Sequence, residues 1–212
     1  MIPMAREDPG PGCGADWLRK GCELANSDED LVARCQSGER SAFELLMRKY
    51  QRRIFHLVYR VTQDSDLVEP LSQEVFLKAY RALSSFKGNS QFYTWLYRIA
   101  VNTCLSHLKR ESIENHAGGT VELDSVSFPP GIHAVQPDDP EQTVMRRELG
   151  RRILVHLRKL PEELKTTLVL REFMGLNYEE IADVMQIPLG TVRSRIFRAR
   201  AQLKTEMAPF LA

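Results

Sequence analysis

The stretch GLNYEEIADVMQIPLGTVRSRIFRARAQLK, residues 175–204, decides how this chain folds. Asn177 and Glu180 have the spacing of a capping box, so a helix is predicted to begin after Asn177. The run Gln186–Pro188 ends that helix, because proline lacks the backbone N–H that a helix interior needs. A second helix is predicted from Leu189 or the residue after it. Two helices separated by a tight break form the helix-turn-helix pattern, whose second helix lies in the major groove of DNA.

The second predicted helix sorts its residues onto two faces. The apolar residues that recur at the spacing of a buried stripe are Val192, Ile196, Ala199 and Leu203. The opposite face contains no acidic residue and carries Gly190, Arg193, Ser194, Phe197, Arg198, Ala201 and Lys204. Arginine can read guanine or hold phosphate, and an aromatic ring can contact a thymine methyl group. A solvated basic helix with one exposed aromatic residue is the alternative, but the break, the two faces and the acid-free basic run together favour DNA binding.

Charge is unevenly distributed along the 212 residues, although the net charge is only +1. Residues 28–113 carry 13 basic and 10 acidic side chains, and residues 141–212 carry 13 and 9. Residues 114–140 carry no basic and five acidic side chains. Two mildly basic blocks that flank an acidic connector point to nucleic acid as the partner of the blocks. The connector and residues 1–27 are rich in proline and glycine, so we predict a flexible linker and a disordered N-terminal extension.

Several classes of protein are not supported by the sequence. The cysteines form no CxxC pair and fit no zinc finger, so we expect no metal site; they are Cys13, Cys22, Cys35 and Cys104. No stretch is long and apolar enough for a signal peptide or a membrane span, so a cytoplasmic protein is expected. There is no phosphate-binding loop, nucleophile elbow or HExxH motif, and the sequence therefore predicts neither an enzyme nor a cofactor.

Helical periodicity across both basic blocks predicts an all-α protein of two small domains. The predicted helices cover residues 28–36, 39–61, 70–85, 91–111 and 141–159, with another that begins at Pro161. Pro70 fits the first position of its helix. The residues expected to be buried in that helix are Leu71, Val75, Leu77, Ala79 and Leu83.

The helix at 91–111 contains four aromatic residues within six positions, namely Phe92, Tyr93, Trp95 and Tyr97. Flat rings beside positive charge suit single-stranded nucleic acid, which needs stacking faces for its bases and cations for its phosphates. We therefore predict that residues 87–90, with Phe92 and Tyr93, form a pocket for one flipped base. Asn89 and Asn102 are the candidates to hydrogen-bond its edge. The alternative is that the rings fill a small helical core, and for Trp95 the two interpretations are equally supported.

These motifs resemble the extracytoplasmic-function sigma factors, the alternative initiation subunits of bacterial RNA polymerase. The segments that carry the resemblance are QEVFLKAYRAL (73–83), FYTWLYRIAVN (92–102), LPEELKTTLVLRE (160–172), NYEEIADVM (177–185) and PLGTVRSRIFRAR (188–200). They occur in the order of the family and cover both basic blocks. The last segment is most similar to the sigma-E branch.

The resemblance implies a function for each block. Residues 28–113 would bind core RNA polymerase and melt the −10 promoter element, residues 114–140 would be the linker, and residues 141–212 would read the −35 element. The implied partners are core RNA polymerase, promoter DNA and a membrane-bound anti-sigma factor, with no membrane insertion of this chain itself. A stress response is the implied setting.

The resemblance and the residue patterns together give three sets of candidate site residues. The −35 set is Thr191, Arg193, Ser194, Phe197, Arg198 and Lys204. The −10 set is Lys87, Asn89, Ser90, Phe92, Tyr93, Trp95, Arg98, Asn102, Lys109 and Arg110. The polymerase-binding set is Gln73, Glu74, Phe76, Lys78 and Arg81. A helix-turn-helix regulator that binds an operator as a dimer and an adaptor that binds only proteins are the alternative functions.

Overall fold

The computed structural model describes residues 27–115, 150 and 153–211, and every regular element within these ranges is helical. The helices are α1 (Asp28–Gln36), α2 (Arg40–Thr62), α3 (Val68–Ala82), α4 (Phe92–Asn115), α5 (153–158), α6 (Glu162–Glu172), α7 (Tyr178–Met185) and α8 (Leu189–Leu211). A 3-10 turn, Leu83–Ser85, follows α3. The predicted all-α class is confirmed. The predicted N-terminal extension up to residue 26 and the linker from residue 116 onward lie outside the described residues.

The described chain divides into two compact units after Leu46. In the first unit, the Ser27 hydroxyl accepts a hydrogen bond from the backbone N–H of Asp30 and caps the start of α1. Gly38 adopts a φ of 102° in the turn that follows α1, a conformation that residues with a Cβ atom rarely adopt. The Arg34 guanidinium then forms two hydrogen bonds to the Glu39 carboxylate, at 2.9 and 2.7 Å, and ties the two sides of the turn together.

The second unit begins within α2 and contains all the remaining helices. α2 buries an apolar stripe that contains Tyr50, Ile54, Leu57, Val58 and Val61. α4 packs against α3 and α7, and α6 packs against α8. A shared core cluster joins residues from both ends of this unit, and its buried members are Tyr59, Val68, Leu154, Leu157, Leu160, Leu168 and Ala199.

Helix α3 differs from the prediction in two respects. It begins at Val68, so Pro70 is its third residue and not its first. Proline is tolerated there because the first four N–H groups of a helix have no partner within the helix. The prediction that Leu77 is buried is wrong, since this side chain is 48% exposed. Leu71, Val75 and Ala79 recur every four residues on the buried face, and Leu77 lies about 200° around the helix from Val75.

The helix-turn-helix agrees with the prediction in its caps and its break. The Asn177 side chain accepts from the Glu180 backbone N–H at 2.8 Å, and the Glu180 carboxylate accepts from the Asn177 backbone N–H at 2.7 Å. Gln186 ends α7 in the left-handed conformation, with φ at 55°. The predicted capping box and the start of α8 at Leu189 are therefore confirmed.

Candidate nucleic-acid interface

Helix α8 is anchored by its apolar stripe. Val192, Ile196 and Ala199 are buried and Leu203 is partly buried, as the periodicity predicts. The opposite side of the helix is open to solvent. We call it the reading face, and it consists of Thr191, Arg193, Ser194, Phe197, Arg198 and Lys204. Phe197 is 73% exposed, the largest exposure among the exposed large apolar residues of the described chain.

The four arginines of α8 fall into two pairs with different surroundings. Arg195 forms an ion pair with Glu163, and Arg200 forms one with Glu172, with its Nε 3.1 Å from Glu172 Oε1. Both acids belong to α6, so these two arginines attach α8 to its supporting helix. Arg198 contacts only Ser194 in the described chain, with its Nη2 3.4 Å from the Ser194 hydroxyl.

Arg193 has no hydrogen bond or ion pair within the residues that the structure describes. Arg193 and Arg198 are therefore the arginines available to a ligand on the reading face. The pairing of the α6 acids with α8 could not be predicted from the sequence. Glu163 lies in the first turn of α6, and its pairing with Arg195 depends on how α6 and α8 pack.

The aromatic residues of α4 are mostly enclosed. Phe92 is only 4% exposed, and its ring lies 5.5 Å from Tyr50 and 5.7 Å from Trp95, measured between centroids. Phe86 completes this aromatic cluster, at 5.0 Å from Trp95. The expectation that Phe92 lines an open pocket is corrected here, because its ring packs inside the cluster. Trp95 is partly exposed beside that ring.

Two members of this aromatic cluster, Tyr50 and Phe86, were not among the predicted site residues. Tyr50 belongs to the buried stripe of α2, and Phe86 directly follows the 3-10 turn after α3. Both come from earlier in the chain than α4, so their contact with Phe92 and Trp95 could not be read from the local pattern. The fourth aromatic residue of the motif, Tyr97, is buried as well.

The polar members of the −10 set are spread along α4. Lys87, Asn89 and Ser90 lie in the loop before the helix, with Lys87 and Asn89 exposed. Asn102 is also exposed, but it lies ten residues after Phe92, about 15 Å along the helix at 1.5 Å per residue. The prediction that Asn89 and Asn102 hydrogen-bond the edge of one base stays a prediction.

The remaining cations of that set are distributed further along the same helix. Lys109 and Arg110 are exposed beyond Asn102, toward the end of α4. Arg98 is partly buried, and its Nε has no hydrogen-bond partner within the described chain. The arrangement of the exposed groups suits a strand that runs along α4 better than a single enclosed base.

Tyr93 makes a contact that the sequence did not predict. Its hydroxyl donates a hydrogen bond to the Glu180 carboxylate, the same group that completes the capping box of α7. This hydrogen bond, together with partial burial and the negative charge of Glu180, raises the pKa of Tyr93. The aromatic helix and the helix-turn-helix are therefore joined at a residue predicted to bind the −10 strand.

The exposed face of α3 carries part of the polymerase-binding set. Gln73, Lys78 and Arg81 are exposed and Glu74 is partly exposed. Lys78 forms a 2.7 Å ion pair with Glu74 and donates to the Thr103 hydroxyl of α4 at 3.1 Å.

The expectation that Phe76 is available to polymerase is corrected, since its side chain is only 7% exposed and packs in the core. The apolar residues at the surface of α3 are instead Leu77 and Tyr80, which are 48% and 45% exposed. They share one side of the helix with Gln73 and Arg81, and we call these four residues the α3 face. Periodicity alone could not separate Phe76 from Leu77, because neighbouring apolar residues in a helix fit either face.

Other kinds of site find no support in the described residues. Cys104 is buried, and burial raises the pKa of its thiol to about 12, so the thiolate is disfavoured. No group of three or more histidine, cysteine or acidic residues that could hold a metal ion occurs in ranges 27–115 and 153–211. No helix in the same part of the chain is long and apolar enough to cross a membrane.

Residues 46–113 match the family Sigma-70 region 2, and residues 151–203 match Sigma-70, region 4. The RNA polymerase sigma-H factor of Pseudomonas aeruginosa is 45% identical over 185 residues, which cover 87% of this chain and 95% of the relative. The chain belongs to the ECF family of RNA polymerase sigma factors. The ECF RNA polymerase sigma-E factor of Escherichia coli is 42% identical over 185 residues, 87% of this chain and 96% of that factor.

Two solved structures share the fold of this sigma factor. CnrH, in complex with the cytosolic domain of CnrY, has a TM-score of 0.63 and 23% identity and covers 86% of this chain and 97% of its own. RpoE of Bartonella quintana, in complex with the anti-sigma factor NepR, has a TM-score of 0.64 and 21% identity. It covers 78% of this chain and 96% of its own. The region 2 match contains α3 and all but the last two residues of α4, and the region 4 match contains α6 and α7. The chain is a non-enzymatic, promoter-recognising subunit of RNA polymerase.

Proposed function

We propose that this sigma factor reads the −35 element with α8 and holds the −10 strand along α4. The main support for the −35 assignment is that the four arginines of α8 form two pairs with different surroundings. Arg195 and Arg200 are paired with acids of α6, whereas Arg193 and Arg198 lie on the exposed, acid-free reading face. A rigidly supported helix with unpaired arginines and an exposed ring suits the major groove of duplex DNA.

The −10 assignment uses the loop at 87–90, Tyr93, Trp95 and the exposed residues Asn102, Lys109 and Arg110. Trp95, Asn102 and Lys109 recur every seven residues on one side of α4, so a strand along that side can stack on Trp95 and place its phosphates against the cations. Tyr93 lies about 200° around the helix from Trp95, on a different side of α4. Unstacking a base costs a few kcal/mol, and each base stacked on an aromatic ring returns ~1–3 kcal/mol. Binding energy of this kind offsets the cost of opening the duplex.

The α3 face is our proposed contact with core polymerase. Exposed apolar side chains flanked by charged groups are typical of protein interfaces, and Leu77 and Tyr80 meet that description beside Gln73 and Arg81. The proposed domain boundaries are residues 28–113 for polymerase and −10 binding, 114–140 for the linker and 141–212 for −35 binding. As a polymerase subunit the protein would act in the cytoplasm.

Run-off transcription with core RNA polymerase on a library of promoter DNA tests the proposal. We expect transcripts that depend on this protein and that select both a −10 and a −35 sequence. A dimeric helix-turn-helix repressor would give no dependent transcript. An adaptor that binds only proteins would give no sequence selection.

The linker offers a second test. Residues 114–140 carry five acids and no base, so we propose that the linker occupies a basic channel of the polymerase. A plain flexible tether is the alternative. Replacing residues 118–137 with a Gly/Ser segment of equal length should impair initiation and early RNA synthesis, whereas unchanged initiation would favour the tether.

We further propose control by an anti-sigma factor in a stress response, on the strength of the family resemblance. The helices α2 and α3 would be shared between the inhibitor and the polymerase. The expected result of a pull-down is that the two partners exclude each other. Recovery of polymerase, this chain and the inhibitor in one stable complex would contradict that sharing.

A further inference from the structure

One ion pair of α8 lies at the edge of the reading face. Arg200 follows Arg193 by seven residues, so the two side chains start about 20° apart around the helix and roughly 10 Å apart along it. Arg200 Nε lies 3.1 Å from Oε1 of Glu172, the last residue of α6, and Arg200 Nη2 donates to the same oxygen. The side chain of Arg200 is 54% exposed and that of Glu172 is 43% exposed, so the pair is open to a ligand of the reading face.

The other ion pair of α8 does not share this position. The side chain of Arg195 is only 15% exposed, although its partner Glu163 is 68% exposed. Arg195 lies two residues after Arg193, about 160° around the helix from it. The pair formed by Glu163 therefore supports α8 from α6, and the pair formed by Glu172 is the one that can act on DNA.

An unpaired arginine at position 200 would favour DNA of any sequence. The major groove is about 12 Å wide, close to the diameter of a helix with its side chains, so a recognition helix has a phosphate backbone on either side. A cation at the edge of the reading face can reach these phosphates. Such a contact carries no sequence information, and it releases counterions, so it makes binding more dependent on salt.

Glu172 opposes this contact in two ways. It accepts from two N–H groups on one edge of the Arg200 guanidinium, the kind of fork with which arginine clamps a phosphate. Its second oxygen accepts no hydrogen bond within the residues that the structure describes, so a negative charge remains toward solvent beside the reading face. Like charges repel, and the carboxylate therefore disfavours an approaching phosphate.

We propose that Glu172 is a positioning residue of the −35 interaction, which holds Arg200 away from the phosphates and so limits the sequence-independent part of the affinity for DNA. Arg193 and Arg198 remain available to read bases, and a larger share of the binding free energy then comes from base contacts. This inference rests on the proposed function, because it takes α8 to read the −35 duplex.

Glu172→Gln tests the proposal, because it removes the carboxylate charge and keeps the size of the side chain. The probes are a fluorescent closed duplex with the −35 element selected by the run-off library and the same duplex with that element scrambled, each bound to holoenzyme over a range of salt concentrations. One added phosphate contact steepens the slope of log K against log salt by about 0.9. From about 50 to about 200 mM salt, the variant should therefore lose roughly 3.5-fold more affinity than wild type on both duplexes.

Glu163→Gln is the matched control, since it makes the same chemical change in the pair that lies away from the reading face. It should leave the slope unchanged. Arg200→Gln should also keep the wild-type slope, because Arg200 makes no phosphate contact while Glu172 holds it. In the double variant Glu172→Gln with Arg200→Gln, the steeper slope should be lost again.

The outcomes separate this proposal from the −35 assignment. An unchanged slope in Glu172→Gln, with a wild-type holoenzyme that still distinguishes the two duplexes, would overturn the role of Glu172 and leave the −35 assignment intact. Weaker binding by Glu172→Gln, or a shallower slope in Arg200→Gln, would also overturn it, because Glu172 would then orient Arg200 toward a phosphate. A wild-type holoenzyme that binds the two duplexes equally would refute the −35 assignment itself.

Discussion

The two helices assigned to DNA, α4 and α8, are almost equal in length and differ in how their faces are used. α8 buries one apolar stripe and exposes a continuous polar face. α4 buries Phe92 and Tyr97, holds Trp95 in the aromatic cluster and joins Tyr93 to another helix. The reading face therefore keeps its polar residues in water, whereas most of the α4 rings pack against other parts of the protein.

The physical reason for this difference lies in the side chains. Arginine and serine are well solvated, so an exposed reading face costs little before DNA arrives. A row of aromatic rings left in water loses the hydrophobic contribution of its buried area, about 25 cal/mol per Å². The rings of α4 therefore pack against the protein. From this difference we expect mutations of the α4 rings to change mainly the stability of the protein, and mutations on the reading face to change mainly DNA binding.

The largest expected effect concerns Phe92. Phe92→Ala should destabilise the protein by about 3–5 kcal/mol, because it removes a buried ring and leaves a cavity beside Tyr50 and Trp95. Urea unfolding followed by circular dichroism measures the change. Phe92→Leu is the control and should cost less, since it fills more of the cavity. A Phe92→Ala protein of unchanged stability that lost only single-strand binding would show that Phe92 belongs to an open pocket after all.

The next effect concerns the reading face. Arg193→Ala or Arg198→Ala should cost about 1–3 kcal/mol of promoter binding and relax the preference at one or two positions of the −35 element. Binding of holoenzyme to a set of −35 variants measures both. Arg200→Ala is the control, because it breaks an ion pair with Glu172 and should leave the sequence preference unchanged. If Arg193→Ala and Arg198→Ala weaken all sequences equally, these arginines contact phosphates only.

The sequence predicts the candidate site on α8 better than the one on α4. The faces of α8 follow from a periodicity of 3.6 residues, and the capping box at Asn177 follows from a spacing of three. Both are local signals, so the helix-turn-helix and its exposed residues could be predicted. The ion pairs of Arg195 and Arg200 could not, because they need the packing of α6 against α8.

Helix α4 could be predicted as a helix, but the positions of its rings could not. The neighbours of Phe92 come from Tyr50 and Phe86, in other helices or turns, and the partner of Tyr93 lies 87 residues further along the chain. Aromatic residues fit a core and a stacking surface equally well. Which of the two they form depends on tertiary contacts that no local pattern contains.

Two asparagines test a smaller difference in stability, between the helix-turn-helix and α4. Asn177→Ala should cost about 1 kcal/mol of stability, because it leaves the Glu180 backbone N–H without its capping acceptor. Asn102→Ala on α4 removes an exposed asparagine that caps nothing, and it should change stability by no more than about 0.5 kcal/mol. Thermal unfolding of the two variants makes the comparison. Equal losses would mean that the helix-turn-helix does not depend on its cap.

The smallest expected effect is a difference in pH dependence between the two helices. On α8, Glu206 accepts from the Lys159 ammonium at 2.9 Å and lies 3.3 Å from His156 Nδ1. The hydrogen bond and the charge of Lys159, with a smaller contribution from His156, lower the pKa of Glu206 below 4.5. Its contribution to stability is therefore present above pH 4.5 and is lost as the pH falls through the lowered pKa.

The contribution of Tyr93 on α4 to stability depends on pH in the opposite direction. Its hydrogen bond to Glu180 raises its pKa above 10.0, so its contribution is present below pH 10 and is lost as the pH rises through the raised pKa. Melting temperatures from about pH 3 to about pH 10.5 should show the two effects separately. Glu206→Gln should flatten the acid side of the profile and leave the alkaline side unchanged. Tyr93→Phe should flatten the alkaline side and leave the acid side unchanged. If Tyr93→Phe leaves the alkaline side as it is in the wild type, Tyr93 is not bonded to Glu180 in solution, and the two helices are more alike than their contacts indicate.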